Sequence, residues 1–213
     1  IESQLLLYDA GSVDAIFRQA GFHLHPRLFM EYNFVATAPN EDRPELNLPP
    51  NIELRGWSAE HYQPAAELIH DAYTGHIDAL INDQYCTLHG SLRFLHNIVR
   101  FPGCGIFDAS NSWVLREAGT EVLVGVVLCS RVAEEVAHIT QLCVARSWHG
   151  HHLGRMLLTH CMGHLAQSGF KAITLTVTEA NRQAVNLYED LGFHTRHRFD
   201  AMVFNKTQAA SDF

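Results

Sequence analysis

The spacing of apolar positions changes along the chain, and the changes mark its elements. Ile52-Glu53-Leu54-Arg55 alternates as a strand does. Ser58 is an N-cap for an amphipathic helix carrying Ala65, Leu68, Ile69 and Ala72. Leu92, Leu95, Ile98 and Val99 predict a second helix, stopped at Phe101-Pro102-Gly103 because a proline pushes the preceding residue out of the α region. Strands Ser112 to Arg116 and Val122 to Ser130 flank the turn Glu117-Ala118-Gly119-Thr120, and Val136 to Val144 follows as a third. Gly154 to Ser168 reads as a helix with Met156, Leu157, Cys161 and Leu165 on one face and Gly169 as its stop. Ala172 to Val177 is a strand, Arg182 to Leu191 a helix capped by Gly192, and two short strands are expected between Thr195 and Phe204. Strands alternating with helices predict an α/β or α+β fold around a mixed sheet.

Ahead of this pattern, residues 38–50 contain four prolines among alternating charges and keep neither period. They read as a linker. The chain is thereby divided into an N-terminal segment (1–37), a main domain (51–206) and a tail (207–213).

Composition narrows the function classes. With 213 residues, 47% hydrophobic and 18% charged, the chain suits a globular protein of one domain plus a surplus. No apolar run approaches the roughly 18–20 residues that span a bilayer, so no membrane association is expected. Five scattered cysteines without a C-x-x-C pair read as reduced thiols, and the expected location is cytoplasmic. A formal charge of −8 argues against nucleic acid as a partner, because such binding needs clustered Lys and Arg. The 15 histidines carry information only through their positions. His160 and His164 lie four apart on a predicted helix, a spacing that can hold Zn, yet no third ligand follows at a recognisable spacing. They read as surface histidines, and no metal is expected.

The segment Gln141 to Leu158 joins an apolar strand to a helix through a short turn containing glycine and cationizable groups. The free N–H groups and positive dipole end of such a helix attract an anion. About 27 residues on stands Asn181-Arg182-Gln183-Ala184-Val185-Asn186-Leu187-Tyr188-Glu189-Asp190-Leu191-Gly192-Phe193. Together these segments resemble the GCN5-related N-acetyltransferase (GNAT) superfamily. Its hallmarks are [Arg/Gln]-x-x-Gly-x-[Gly/Ala] opening a helix and then Asn-x-x-Ala-x-x-Leu-Tyr-x-x-x-Gly-Phe. The second motif matches at every fixed position. In the first, His149 replaces Arg or Gln and His152 replaces the first glycine, while Gly154 is kept.

The resemblance covers residues 51–204 and implies a mixed, mainly antiparallel central sheet flanked by helices. It implies acetyl-CoA as co-substrate and direct transfer of the acetyl group to a primary amine in a ternary complex. The acceptor is then a small-molecule amine or a protein or peptide amine, and a homodimer is left open. Leu142, Cys143 and Val144 inherit the strand that pairs with the pantetheine arm. His149, Gly150, His151, His152, Leu153, Gly154 and Arg155 inherit the pyrophosphate turn, with imidazoles where the family carries Arg. Asn181 is implied near the pantetheine and Tyr188 as proton donor to the leaving thiolate. The base that deprotonates the amine varies in the family. Glu134, Glu135, His138 and Gln141 are candidates, with His138 preferred over Glu135 because it shares the strand period of Thr140 and Leu142. The alternative is a catalytically weak or inactive CoA-binding or interaction module on the same fold.

Residues Ile16 to Arg27 lie over Leu187 to Arg198 without a gap, sharing Gly-Phe-His and a final Arg. Leu5 to Tyr8 then falls on Thr176 to Glu179. The N-terminal segment therefore reads as the strand-helix-strand end of a second acetyltransferase-like unit. It lacks the phosphate loop, with Ala10 in place of Asn181 and Phe17 in place of Tyr188, and is expected to complete a sheet rather than catalyse.

Overall fold

The computed structural model describes residues 2–4, 10–35, 47–103 and 105–204. The predicted strand Leu5 to Tyr8, most of the predicted linker and the tail 207–213 lie outside the described residues. The elements are β1 (Glu2–Gln4), α1 (Asp14–Gln19), β2 (His23–Asn33), β3 (Ile52–Gly56), α2 (Tyr62–Tyr73), α3 (Leu88–Arg100), β4 (Ile106–Phe107), β5 (Trp113–Glu117), β6 (Leu123–Ala133), β7 (Val136–Val144), α4 (Leu153–Gln167), β8 (Ala172–Thr178), α5 (Arg182–Asp190) and β9 (His194–Val203).

One sheet runs β1-β9-β2-β8-β7-β6-β5-β3, with β4 beside β6. Its pairs are antiparallel except β7 with β8, which run parallel. Alternation along β5 and β6 fills two cores. Leu115, Val127 and Cys129 pack with Leu157 and Leu158 of α4, whereas Val114, Val126 and Leu128 pack with Leu68 and Ile69 of α2 and Leu95 of α3. The sheet is thus buried on both faces, with α4 on one side and α2 and α3 on the other. No helix among the described residues is long and apolar enough to cross a membrane.

The N-terminal segment is part of this sheet. Its strand β2 lies between β8 and β9 and pairs with both. The place beside β8 is therefore filled from the far end of the chain, and the two short closing strands expected after Thr195 are instead the single strand β9. Moving 171 residues along the chain turns the rung Glu2–Val203 into Ile173–Tyr32, and Gln4–Ala201 into Leu175–Met30, both of which exist. The strand-helix-strand units β1-α1-β2 and β8-α5-β9 are thus interlocked, each placing one strand between the two strands of the other.

Between α2 and α3 the chain makes two short 3-10 turns, Ile77–Leu80 and Asp83–Cys86. Ile81 anchors them by packing on Ala201 and Val203 of β9. Thr87 caps α3, accepting the Gly90 N–H at 3.0 Å. A Cβ on Gly90 would meet the Gln84 backbone carbonyl, with its carbon 2.9 Å away. Backbone cannot yield as a side-chain tip can. Gly90→Ala is expected to destabilise the protein by about 1–3 kcal/mol, read in thermal melting as roughly 2–4 °C per kcal/mol.

Candidate active site

The site begins where β7 leaves β8. Their rungs run from Val136–Ala172 to Ile139–Leu175, and then the strands part. At the same place β7 carries an extra residue against β6: Cys129 pairs with Ile139 and Leu128 with Gln141, leaving Thr140 between. Such a bulge bends its strand and re-aims the side chains beyond it. Before it, Ala137 and Ile139 belong to the core under α4; after it, Cys143 joins the core under α2 and α3.

Two cavities flank the gap. The larger, about 450 Å³, is lined by Leu142, Cys143 and Val144 of β7, by the turn into α4, and by α5. The smaller, about 140 Å³, is lined by Thr140, Gln141, Thr176, Asp78, Tyr85, Arg27 and Glu2, among others. Tyr73, Leu142, Asn181, Ala184 and Tyr188 line both. The gap is propped open by aromatic groups. Tyr73 and Tyr85 stack at 4.1 Å, and Gln141 joins their hydroxyls, its Nε2 3.1 Å from Tyr73 Oη and its Oε1 3.4 Å from Tyr85 Oη.

In the turn before α4, Gly150 has φ +81° and His152 has φ 60°, ψ 15°, the left-handed region that favours glycine. His152 is the N-cap of α4 but makes no side-chain cap, and no acid stands in the first turn. The helix-end N–H groups and dipole are therefore free for an anion. His149, Gly150, His152, Leu153, Gly154 and Arg155 line the cavity. His149 Nε2 reaches the Val144 carbonyl at 3.2 Å. His151 is not among the lining residues; it packs on Trp148 and bonds the His149 carbonyl at 3.2 Å. Arg155 pairs with Asp190 of α5 at 2.8 Å. Both side chains are well exposed, so this pair is weak.

Asn181 caps α5, accepting the Ala184 N–H at 3.2 Å, and its Nδ2 lies 3.5 Å from His76 Nε2. Tyr188 makes no side-chain hydrogen bond among the described residues and faces both cavities. Burial, with Asp78 nearby, holds its phenol well above the usual tyrosine range, so the hydroxyl stays a proton donor.

The expected bases are placed elsewhere. Glu135 lies at the β6–β7 hairpin, paired with Lys171 at 2.7 Å, and Glu134 is exposed beside it. His138 lies in the closed part of the β7–β8 ladder, its Nδ1 2.8 Å from Thr174 Oγ1 and its ring stacked on Phe29. Neither Glu135 nor His138 lines either cavity. The bulge supplies the reason: the period of two that linked His138 to Leu142 is broken at Thr140. Of the four candidates only Gln141 reaches the gap, and it has no titratable group. Carboxylates do line the cavities: Asp190 the larger, and Glu2 and Asp78 the smaller, where Asp78 accepts the Thr178 hydroxyl and lies 3.5 Å from His76 Nδ1. In the sequence Asp78 and Asp83 are the acids between α2 and α3, and neither belongs to a motif. His160 and His164 pack on Trp113 at 4.3 and 4.6 Å.

Comparison with known proteins agrees with this geometry. The model of the acetyltransferase (GNAT) family matches residues 77–193, and the chain belongs to that family. The mycothiol acetyltransferase of Thermomonospora curvata is 48% identical over 50 residues, 24% of this chain and 16% of that protein. A solved GCN5-related N-acetyltransferase from Sphaerobacter thermophilus aligns over 94% of this chain with a TM-score of 0.65 and 18% identity. This chain spans 58% of that structure's length. The PaiA N-acetyltransferase of Thermoplasma acidophilum, solved with coenzyme A, aligns over 72% of this chain and 99% of its own, with a TM-score of 0.51 and 17% identity.

Two outcomes follow from the geometry. A left-handed Cβ costs about 1 kcal/mol or more, so His152→Gly should raise stability by up to about 1 kcal/mol in denaturant melts, whereas His152→Val should lower it. Burial, and secondarily Arg27, pushes the His138 imidazole down to about 4. Unfolded, it takes up a proton near pH 6.5, so its stabilising contribution is present above that pH and is lost as pH falls towards 4. The loss should reach at most about 3 kcal/mol, and His138→Gln should flatten that limb of the stability–pH curve.

Proposed function

We propose that the chain is an N-acetyltransferase that moves an acetyl group from acetyl-CoA to a primary amine by direct transfer. The observation that carries this reading is the gap between β7 and β8, with a cavity on either side and Tyr188 in both walls. Backbone N–H and C=O groups on strands that have parted need partners, and an extended pantetheine arm carrying amides is a suitable one. Leu142, Cys143 and Val144 would pair with that arm. The turn from His149 to Arg155, backed by the α4 N-terminus, would hold the pyrophosphate, with His151 behind it. Asn181 would fix the end of α5 beside the arm. Acetyl-CoA supplies an activated thioester.

The amine enters from the smaller cavity. Its nitrogen bonds the acetyl carbon as the carbon–sulfur bond breaks, and the departing sulfur receives the Tyr188 hydroxyl proton. The proton lost by the amine passes to Asp78 or to water, and from there a proton returns to the Tyr188 oxygen, which restores the phenol. His138 and Glu135 have no part in this proposal. A second reading, a weak or inactive CoA-binding module, draws on the left-handed His152 and on Asp190 competing for Arg155.

A panel of amines with acetyl-CoA and thiol detection separates the two. The enzyme reading expects thiol release matched by acetylated amine, and Tyr188→Phe lowering kcat by about 100-fold with CoA affinity unchanged. CoA binding without thiol release from any amine supports the module.

A further inference from the structure

We infer that the acceptor is a small amine that also carries a carboxylate, and that Arg27 of the N-terminal segment binds that carboxylate. The inference rests on the reading of the smaller cavity as the acceptor side of the acetyltransferase site. Arg27 stands directly opposite Thr178 in the β2–β8 ladder. Opposed residues of an antiparallel pair project to the same face, and Thr178 bonds Asp78 there. Arg27 and Asp78 accordingly line the same cavity.

Arg27 is half-buried, its Nε is buried without a hydrogen-bond partner, and its guanidinium makes no ion pair among the described residues. Neither acid lining the cavity pairs with Arg27: Asp78 bonds Thr178 and lies beside His76, and Glu2 bonds Gln4. A partly desolvated cation beside a polar cavity favours an anion inside it. The flat guanidinium fork matches a carboxylate bidentately. The volume of about 140 Å³ is well below the roughly 300–1,000 Å³ of pockets for drug-sized ligands, which suits a molecule of amino-acid size. Such a molecule would have its carboxylate at Arg27 and its amine towards Tyr73 and Tyr188, at the wall shared with the larger cavity.

The test pairs amino acids with their carboxamides, in steady-state kinetics with acetyl-CoA and in calorimetric titrations of the CoA-saturated protein. The acids should be preferred roughly 10- to 100-fold in kcat/KM and in affinity. Arg27→Met should abolish the preference with the KM for acetyl-CoA unchanged, and Arg27→Lys should restore part of it, which separates charge recognition from damage to β2. Carboxamides used as well as the acids, or an Arg27→Met variant that keeps the preference, would overturn the inference and leave the acetyltransferase reading standing. Failure of CoA to bind would sink both. Amino-acid binding lost only in Arg27→Met upholds the carboxylate site even where turnover is absent.

Discussion

The parting of β7 from β8 is the constraint on which the rest of the site depends. A parallel pair that closed along its whole length would bury its own backbone groups and leave no room for a ligand. Here four rungs close, and the ladder ends at Ile139 beside the extra residue Thr140. The gap is kept by packing. The stacked rings of Tyr73 and Tyr85, bridged by Gln141, stand on one side, and Tyr188 and Asn181 stand on the other. Aromatic rings hold such a position at low entropic cost because few torsions need fixing. The same props form the walls through which the two cavities meet, so one set of residues shapes the gap and faces the chemistry.

The N-terminal segment meets a second need created by the same sheet. With β7 diverging on one edge of β8, the other edge must be covered or it would present an unpaired ladder. β2 covers it over seven rungs, from Arg27–Thr178 to Asn33–Ala172, and buries Leu28 and Met30. Asp200 then holds the Gly11 N–H at 2.9 Å, and Ala10 N–H reaches the Arg198 carbonyl at 2.9 Å. The register that exchanges under a shift of 171 residues makes this an interlock of two like units rather than an added strand. Because of it, side chains from the first thirty residues reach a cavity otherwise built by residues 73–188.

What could be read from the sequence follows from the range of the interactions involved. The strand Val136 to Val144 is observed with those ends, and helices α4 and α5 fall within a residue of expectation, because local period and flanking glycines set them. The family motifs led to the β7–α4 turn and to Tyr188 for the same local reason. The closing strand was divided in two because nothing near Thr195 reveals that β2, over 150 residues earlier, occupies the neighbouring position. His138 lies outside both cavities for a finer reason. One inserted residue at Thr140 changes which face every later side chain of the strand meets, and a bulge of one residue leaves no compositional mark. Asp78 carries no local signal because two short 3-10 turns have no strong period; the packing of Ile81 on β9 and the Asp78–Thr178 bond place them over the gap.

The departures from the phosphate-turn motif can be weighed by the same energetics. A Cβ at the left-handed position of His152 costs about 1 kcal/mol, which falls mainly on stability and leaves the backbone N–H in its helix-end orientation. The exposed Arg155–Asp190 pair is worth at most about 1 kcal/mol, and an entering pyrophosphate could displace Asp190 at about that cost. A difference of 1.4 kcal/mol changes an equilibrium constant about tenfold. Of the two departures only the second bears on binding, and it would weaken binding by less than about tenfold, against a helix end whose N–H groups, dipole and absent first-turn acid all favour an anion. Neither departure therefore conflicts with the phosphate-holding role proposed for this turn.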